Sequence, residues 1–159
     1  MTQEPFDPWR AAEACDDLIL ARHSIAGLMG GGLHVTRRGL GVIVIDPALG
    51  GADQRAVLTH ELIHHERGGA VERADAPPSW QSVVEREERA VDREVAHRLV
   101  PPDELDRLIA EGRSIGDGVA AADVAARFEV PIWVASLALD RLAMRMGAAP
   151  AGMPPIDPR

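Results

Sequence analysis

Residues 54–67 read QRAVLTHELIHHER, and the segment His60-Glu61-Leu62-Ile63-His64 inside them decides how the rest of the chain is read. Asp53 ahead of the run serves as an N-cap and Gly68-Gly69 closes it, so the run is expected to be a helix. Side chains in a helix are rotated by about 100° per residue, which puts His60 and His64 roughly 40° apart on one face, one turn above the other. Two imidazoles so placed can reach one ion. Zinc in catalytic sites commonly takes three protein ligands and keeps a fourth position open. Glu61, directly after the first His, projects beside that open position, where it can take the proton of an attacking water and pass it to a leaving amine. By chance alone such a motif turns up in roughly one chain in sixty of this composition, so a third ligand has to be found.

Outward on the C-terminal side, residues 70–81 carry Pro77-Pro78 and scattered charges without a period, and read as a loop. A helix is expected from about Ser82, heavily charged through VVEREERAVDREVAHRLV and stopped by Pro101-Pro102. Its carboxylates Glu85, Glu87, Glu88, Asp92 and Glu94 compete for the third position. Helical spacing aligns Glu85, Glu88 and Asp92 on one face. Glu88 is the choice, because Asp92 one turn on can accept the free ring N–H of a ligating His and fix its tautomer. Taken alone, a Glu-rich helix is more often just a solvated face. One short helix is expected at 103–111, and two more on either side of Val130-Pro131.

On the N-terminal side, residues 8–29 show apolar positions at Ala11, Ala14, Leu18 and Ala21, the stripe of a first helix. Gly30, Gly31 and Gly32 end it. LHVT and LGVIVID then read as two strands joined by a tight turn at Arg37-Arg38-Gly39, with Asp46-Pro47 ending the second. The tail 147–159, GAAPAGMPPIDPR, has the composition of a segment that does not pack. Residues 1–146 are expected to be a single domain, which suits a chain of 159 residues.

Composition narrows the function. A net charge of −8, no Tyr, two Phe and three Trp argue against a phosphate-neutralising surface or a base-stacking platform, so nucleic acid is not expected as a partner. No apolar run has the length of a membrane span. The acidic opening MTQEPFDPWRAAEACDD is unlike a secretory signal, and the expected location is the cytoplasm. Cys15 is alone and read as a small packed hydrophobe. Trp80, between the two ligand-bearing helices, is read as an anchor for the loop ahead of it, with a wall of a substrate pocket as its other role.

HELIHHERG followed by Glu88-RAVDREVAHRLV-Pro101 resembles the ImmA/IrrE family of metallopeptidases. That family has a His-Glu-x-x-His helix and then a helix of the form Glu-x-x-Ala-Asn/Asp-x-Phe-Ala-x-x-Leu-x-x-Pro. Counting back from Pro101 puts Glu88 at the metal-ligand position and Asp92 at the Asn/Asp position. Val91 stands where Ala is common and Glu94 where Phe is common. VIVIDPALGGADQRAVLTHELIH and ADVAARFEVPIWVASLALDRL resemble the flanking parts, so the similarity covers about residues 20–145.

The resemblance implies an α+β, zincin-like fold of the gluzincin kind, with a short β-sheet flanking an active-site helix and packing helices at both ends. Substrate would pair with an exposed sheet edge from residues 33–45. It implies one zinc ion per chain on His60, His64 and Glu88, Glu61 as the catalytic base, and Asp92 behind the ligands. Cobalt or manganese would suit the same donors. The substrate is expected to be an intracellular protein, with a DNA-binding repressor or regulator implied by the family. Oxyanion stabilisation is left open among His23, His34, His65, His97 and nearby Arg. Two other readings stand beside the peptidase: a DNA-binding module using a helix-turn-helix-like segment in ADVAARFEVPIWVASLALDRL, and a zinc protein without activity. Against the first, PIWVASLALDRL is too apolar for a recognition helix and reads as core.

Overall fold

The computed structural model describes residues 5–25, 31–68, 77–115 and 119–147. Its elements are α1 (Pro8–Glu13), β1 (Leu18–Arg22), β2 (Gly32–Arg37), β3 (Leu40–Ile45), α2 (Gly51–Glu66), a 3-10 turn at Pro78–Trp80, α3 (Gln81–Leu99), α4 (Pro102–Ile115), α5 (Ala121–Phe128) and α6 (Ile132–Arg145). The class is α+β, compatible with a zincin-like arrangement. None of the described helices is long and apolar enough to cross a membrane.

The expected hairpin is β2–β3. Its two-residue turn has φ of 55° at Arg38 and 81° at Gly39, the doubly positive pattern that matches the twist of two antiparallel strands. The expected first helix is corrected: it stops at Glu13, and Leu18–Arg22 forms a strand parallel to β3, in the sheet order β1-β3-β2. The ladder opens with Gly41 N–H donating to the Asp17 carbonyl at 2.8 Å. A parallel partner lies far away in sequence, so the local stripe of Ala11, Ala14, Leu18 and Ala21 mimicked a helix while β3 offered Leu18 a paired backbone and Leu20 a buried face. Cys15 is half-buried, its thiol donating to the Ala11 carbonyl.

α2 is gripped on two sides. Leu58 and Leu62 pack on Ile43 and Ile45 of the sheet and on Ala12 of α1. Ala56 and Ile63 join the second core, built from Val91, Val95 and Leu99 of α3 with Val124, Val134 and Ala138. Each fully buried aliphatic side chain of this kind is worth about 1.5–3 kcal/mol, so the helix is fixed by packing more than by its ends. Its N-cap is Gly50 and not Asp53, which sits inside the first turn, where its charge suits the helix dipole. The C-terminal end closes at Arg67, with Gly68 at φ 90°.

α3 begins at Gln81, one residue before the expected start. Trp80 ahead of it is 54 % exposed and so does not anchor by burial. α4 runs longer than expected, from Pro102 to Ile115. α5 and α6 fall on either side of Val130-Pro131, and α6 buries Val134, Ala135, Ala138 and Leu142, as the core reading of that segment expects. The expectations for Gly30, Gly69, most of the loop before Pro77 and the tail beyond Gly147 lie outside the described residues.

Candidate metal centre

Because α3 packs along α2, Glu88 arrives opposite the one face of α2 that carries two imidazoles. The Nε2 atoms of His60 and His64 stand 3.0 Å apart. Glu88 Oε2 is 3.3 Å from His60 Nε2, and Glu88 Oε1 is 3.5 Å from His64 Nε2. Ligands about 2.0–2.1 Å from a zinc ion at tetrahedral angles lie about 3.3 Å from one another, so the three observed edges are those of one face of such a tetrahedron. Among the described residues this is the one group of three His, Cys, Asp or Glu side chains whose donor atoms converge this closely. The donor set, two neutral imidazoles and a carboxylate, suits zinc.

Asp92 Oδ1 lies 3.2 Å from His60 Nδ1. A hydrogen on Nδ1 donated to that carboxylate would leave the Nε2 lone pair for an ion, the usual way a ligating His is oriented, whereas in the metal-free chain Nε2 carries a proton toward Glu88. Burial alone would lower the His60 pKa, but the hydrogen bonds to Asp92 and Glu88 outweigh it and raise it to about 9. The same hydrogen bonds from His60 and His64 hold the Glu88 carboxyl well below the usual carboxylate range. Of the competing carboxylates, Glu85 pairs with Arg89 on the surface and Glu87 with Arg67 at 2.6 Å.

Glu61 sits on the sheet side of the group. A Cβ on Gly32 would fall 3.0 Å from Glu61 Oε1 and 2.3 Å from Val57 Cγ1, so only glycine lets β2 come this close to the carboxylate. Burial pushes the Glu61 pKa up, the charges of His60 and His64 partly offset this, and the Glu88 charge adds to it. A carboxylate moved toward neutral pH is a better-matched proton acceptor.

Of the histidines weighed for the oxyanion, His34 shares the helix-facing side of β2 with Gly32, and the charges of His65 and His64 act on it. His34 is buried between sheet and helix, its ring edge-on to that of His65 with centroids 5.4 Å apart, and burial lowers its pKa. His65 Nε2 is 3.2 Å from Asp17 Oδ1. His97 is on the outer surface, where Arg141 Nη1 donates to its Nδ1 at 2.9 Å, and the His23 N–H donates to the Ile45 carbonyl.

The sequence matches the peptidase family M78, described as the IrrE N-terminal-like domain, over residues 19–140. The chain belongs to the IrrE N-terminal-like domain family. No curated protein and no solved structure matches it. The matched residues include His60, His64 and Glu88, the three whose donor atoms converge.

Against the family pattern, the departure at Glu94 now has a physical setting. Arg98 donates from Nε to Glu94 and from both Nη atoms to the two oxygens of Glu66, at 2.6–3.0 Å, with its guanidinium over the Phe6 ring. Where the IrrE-like pattern has an apolar ring, this chain ties the end of α2 to α3 by a bidentate ion pair. Sequence reasoning missed this clamp, as it missed Gly32; the only signal was the i,i+4 spacing of Glu94 and Arg98.

Proposed function

We propose that the chain is a zinc-dependent endopeptidase, with residues 1–146 as the working domain. The observation that carries this reading is the tetrahedral edge spacing of His60, His64 and Glu88, with Glu61 beside them. His60, His64 and Glu88 would hold the ion, and Asp92 would keep His60 in the ligating tautomer. The ion, when bound, supplies Lewis-acid polarisation of water and of the peptide carbonyl. Glu61 takes the proton of the attacking water and returns it to the leaving amine. The edge of β2 that no described strand covers presents its main chain to an extended substrate as an added strand. An intracellular DNA-binding regulator is the substrate that the family resemblance implies.

Treatment with a chelator, followed by zinc, tests the reading on an unfolded protein substrate. Cleavage is expected to stop and to return, while the melting transition survives without metal because α2 is held by two cores. Cleavage that persists in chelator contradicts the proposal. A chain that unfolds on chelation and never cleaves would instead be a structural zinc protein.

The metal site also fixes a pH dependence. With a pKa of about 9, His60 is protonated at neutral pH in the metal-free chain, so metal must displace that proton. Zinc affinity is expected to rise about tenfold per pH unit up to about 9 and then level off. Calorimetry in buffers of different ionisation enthalpy should show about one proton released per ion at pH 7.5 and about a quarter of one at pH 9.5. The folded pKa lies above the ordinary 6.5, so the His60 contribution to apo stability is full below about 6.5 and is lost as pH rises through about 9. A release independent of pH would contradict this arrangement.

A further inference from the structure

The edge of β2 carries a selection rule. Asp46 N–H donates to the Gly31 carbonyl at 3.0 Å, which makes residues 31 and 46 a hydrogen-bonded pair of the antiparallel ladder. Such pairs alternate, so Leu33, Val35 and Arg37 also bond to β3, the last beside the two-residue turn. The N–H and C=O groups of Gly32, His34 and Thr36 therefore face away from β3, along the edge that no strand among the described residues covers. An antiparallel peptide added there bonds to those three residues, and its intervening residues stand beside Leu33 and Val35. Their side chains fall on the sheet face away from α2.

That face is apolar. It carries Ile19, Leu33, Val35, Leu40, Val42 and Val44, with Val35 43 % and Ile19 49 % exposed, while α2 and α1 pack with Ile43 and Ile45 on the opposite face. Arg37 continues the same face at the hairpin tip, exposed, and no carboxylate among the described residues pairs with it. The Glu61 carboxylate lies against Gly32, at the other end of the strand. An antiparallel peptide reaches that end from the tip, so its residue beside Val35 precedes the bond to be cut.

We propose that Leu33, Val35 and Arg37 select the substrate: an extended segment with apolar, preferably β-branched side chains at every second residue on the N-terminal side of the cut, and a carboxylate ahead of them. The inference rests on the peptidase reading for the cleavage, while the recognition is measurable without it. Side chains paired across neighbouring strands contribute enough for up to about five-fold per position.

The probes are short blocked peptides with valine at every second position, threonine between and glutamate at the N-terminal end, and the same peptides with serine or lysine for valine. They are titrated into the full, zinc-loaded chain as wild type, Val35→Thr and Val35→Glu, followed by amide shifts and by cleavage. Wild type should bind the valine peptide about five-fold tighter than the serine one per pair, with the shifts centred on Gly32, His34 and Thr36. Val35→Thr should narrow the preference, and Val35→Glu should turn it toward lysine. An unchanged ranking in Val35→Glu, or shifts centred elsewhere, overturns the proposal. Tight binding with this ranking but no cleavage supports the recognition and sinks the peptidase reading. Cleavage without any ranking does the reverse.

Discussion

Glu61→Gln is expected to lower kcat for peptide hydrolysis by about 10²–10⁴-fold, the usual worth of a positioned general base, with zinc content and melting temperature unchanged. The substitution nearly conserves shape in the tight space between α2 and Gly32, where a larger change would meet the strand. Gln can still hydrogen-bond a water, but it cannot accept its proton. Stability should not fall, because the buried Glu61 carboxylate is disfavoured by its desolvation and by the charge of Glu88. Single-turnover cleavage with metal content measured on the same samples is the check. Equal rates for wild type and Glu61→Gln would remove Glu61 from the chemistry.

Glu88→Ala is expected to weaken zinc binding by more than the about 10–100-fold that loss of an outer partner such as Asp92 costs, since it deletes one of three donors. It also removes one of the three carboxylates, Asp92, Glu88 and Glu61, that raise the His60 pKa, so that pKa should fall and the pH at which zinc affinity levels off should fall with it. For the apo protein the sign is opposite to that of His60. The depressed Glu88 pKa means a stabilising contribution present above the ordinary 4.5 and lost as pH falls below it, so the variant should lose less stability in acid than wild type does. Competition with a chromophoric chelator measures the affinity. Zinc held as tightly by Glu88→Ala as by wild type would move the third donor elsewhere on α3.

Local rules made some of this legible in advance. The 3.6-residue period places His60 over His64 wherever a helix forms, and the Arg38-Gly39 turn with apolar flanks reads as a hairpin. The period could also align Glu85, Glu88 and Asp92, but not choose among them. That choice depends on how α3 lies on α2, which puts Glu88 within 3.5 Å of both imidazoles and leaves Glu85 with Arg89 at the surface. β1 was hidden for a related reason: its pairing with β3 joins Leu18 to Gly41, and no short window contains both. Gly32 looked like one of three helix-breaking glycines. Its close approach to Val57 and Glu61 exists only once the strand is laid on the helix. Asp53 shows the limit of capping rules, since packing of Leu58 and Leu62 fixes where α2 starts more firmly than a side-chain cap.

The most direct test is elemental analysis of the purified chain after zinc loading and exhaustive dialysis, run on wild type, His64→Ala, Glu88→Ala and Glu61→Gln. A site formed by His60, His64 and Glu88 predicts about one zinc per chain in wild type and Glu61→Gln, and a sharp loss in the other two. Undiminished zinc in Glu88→Ala and His64→Ala, or none in wild type, would contradict it.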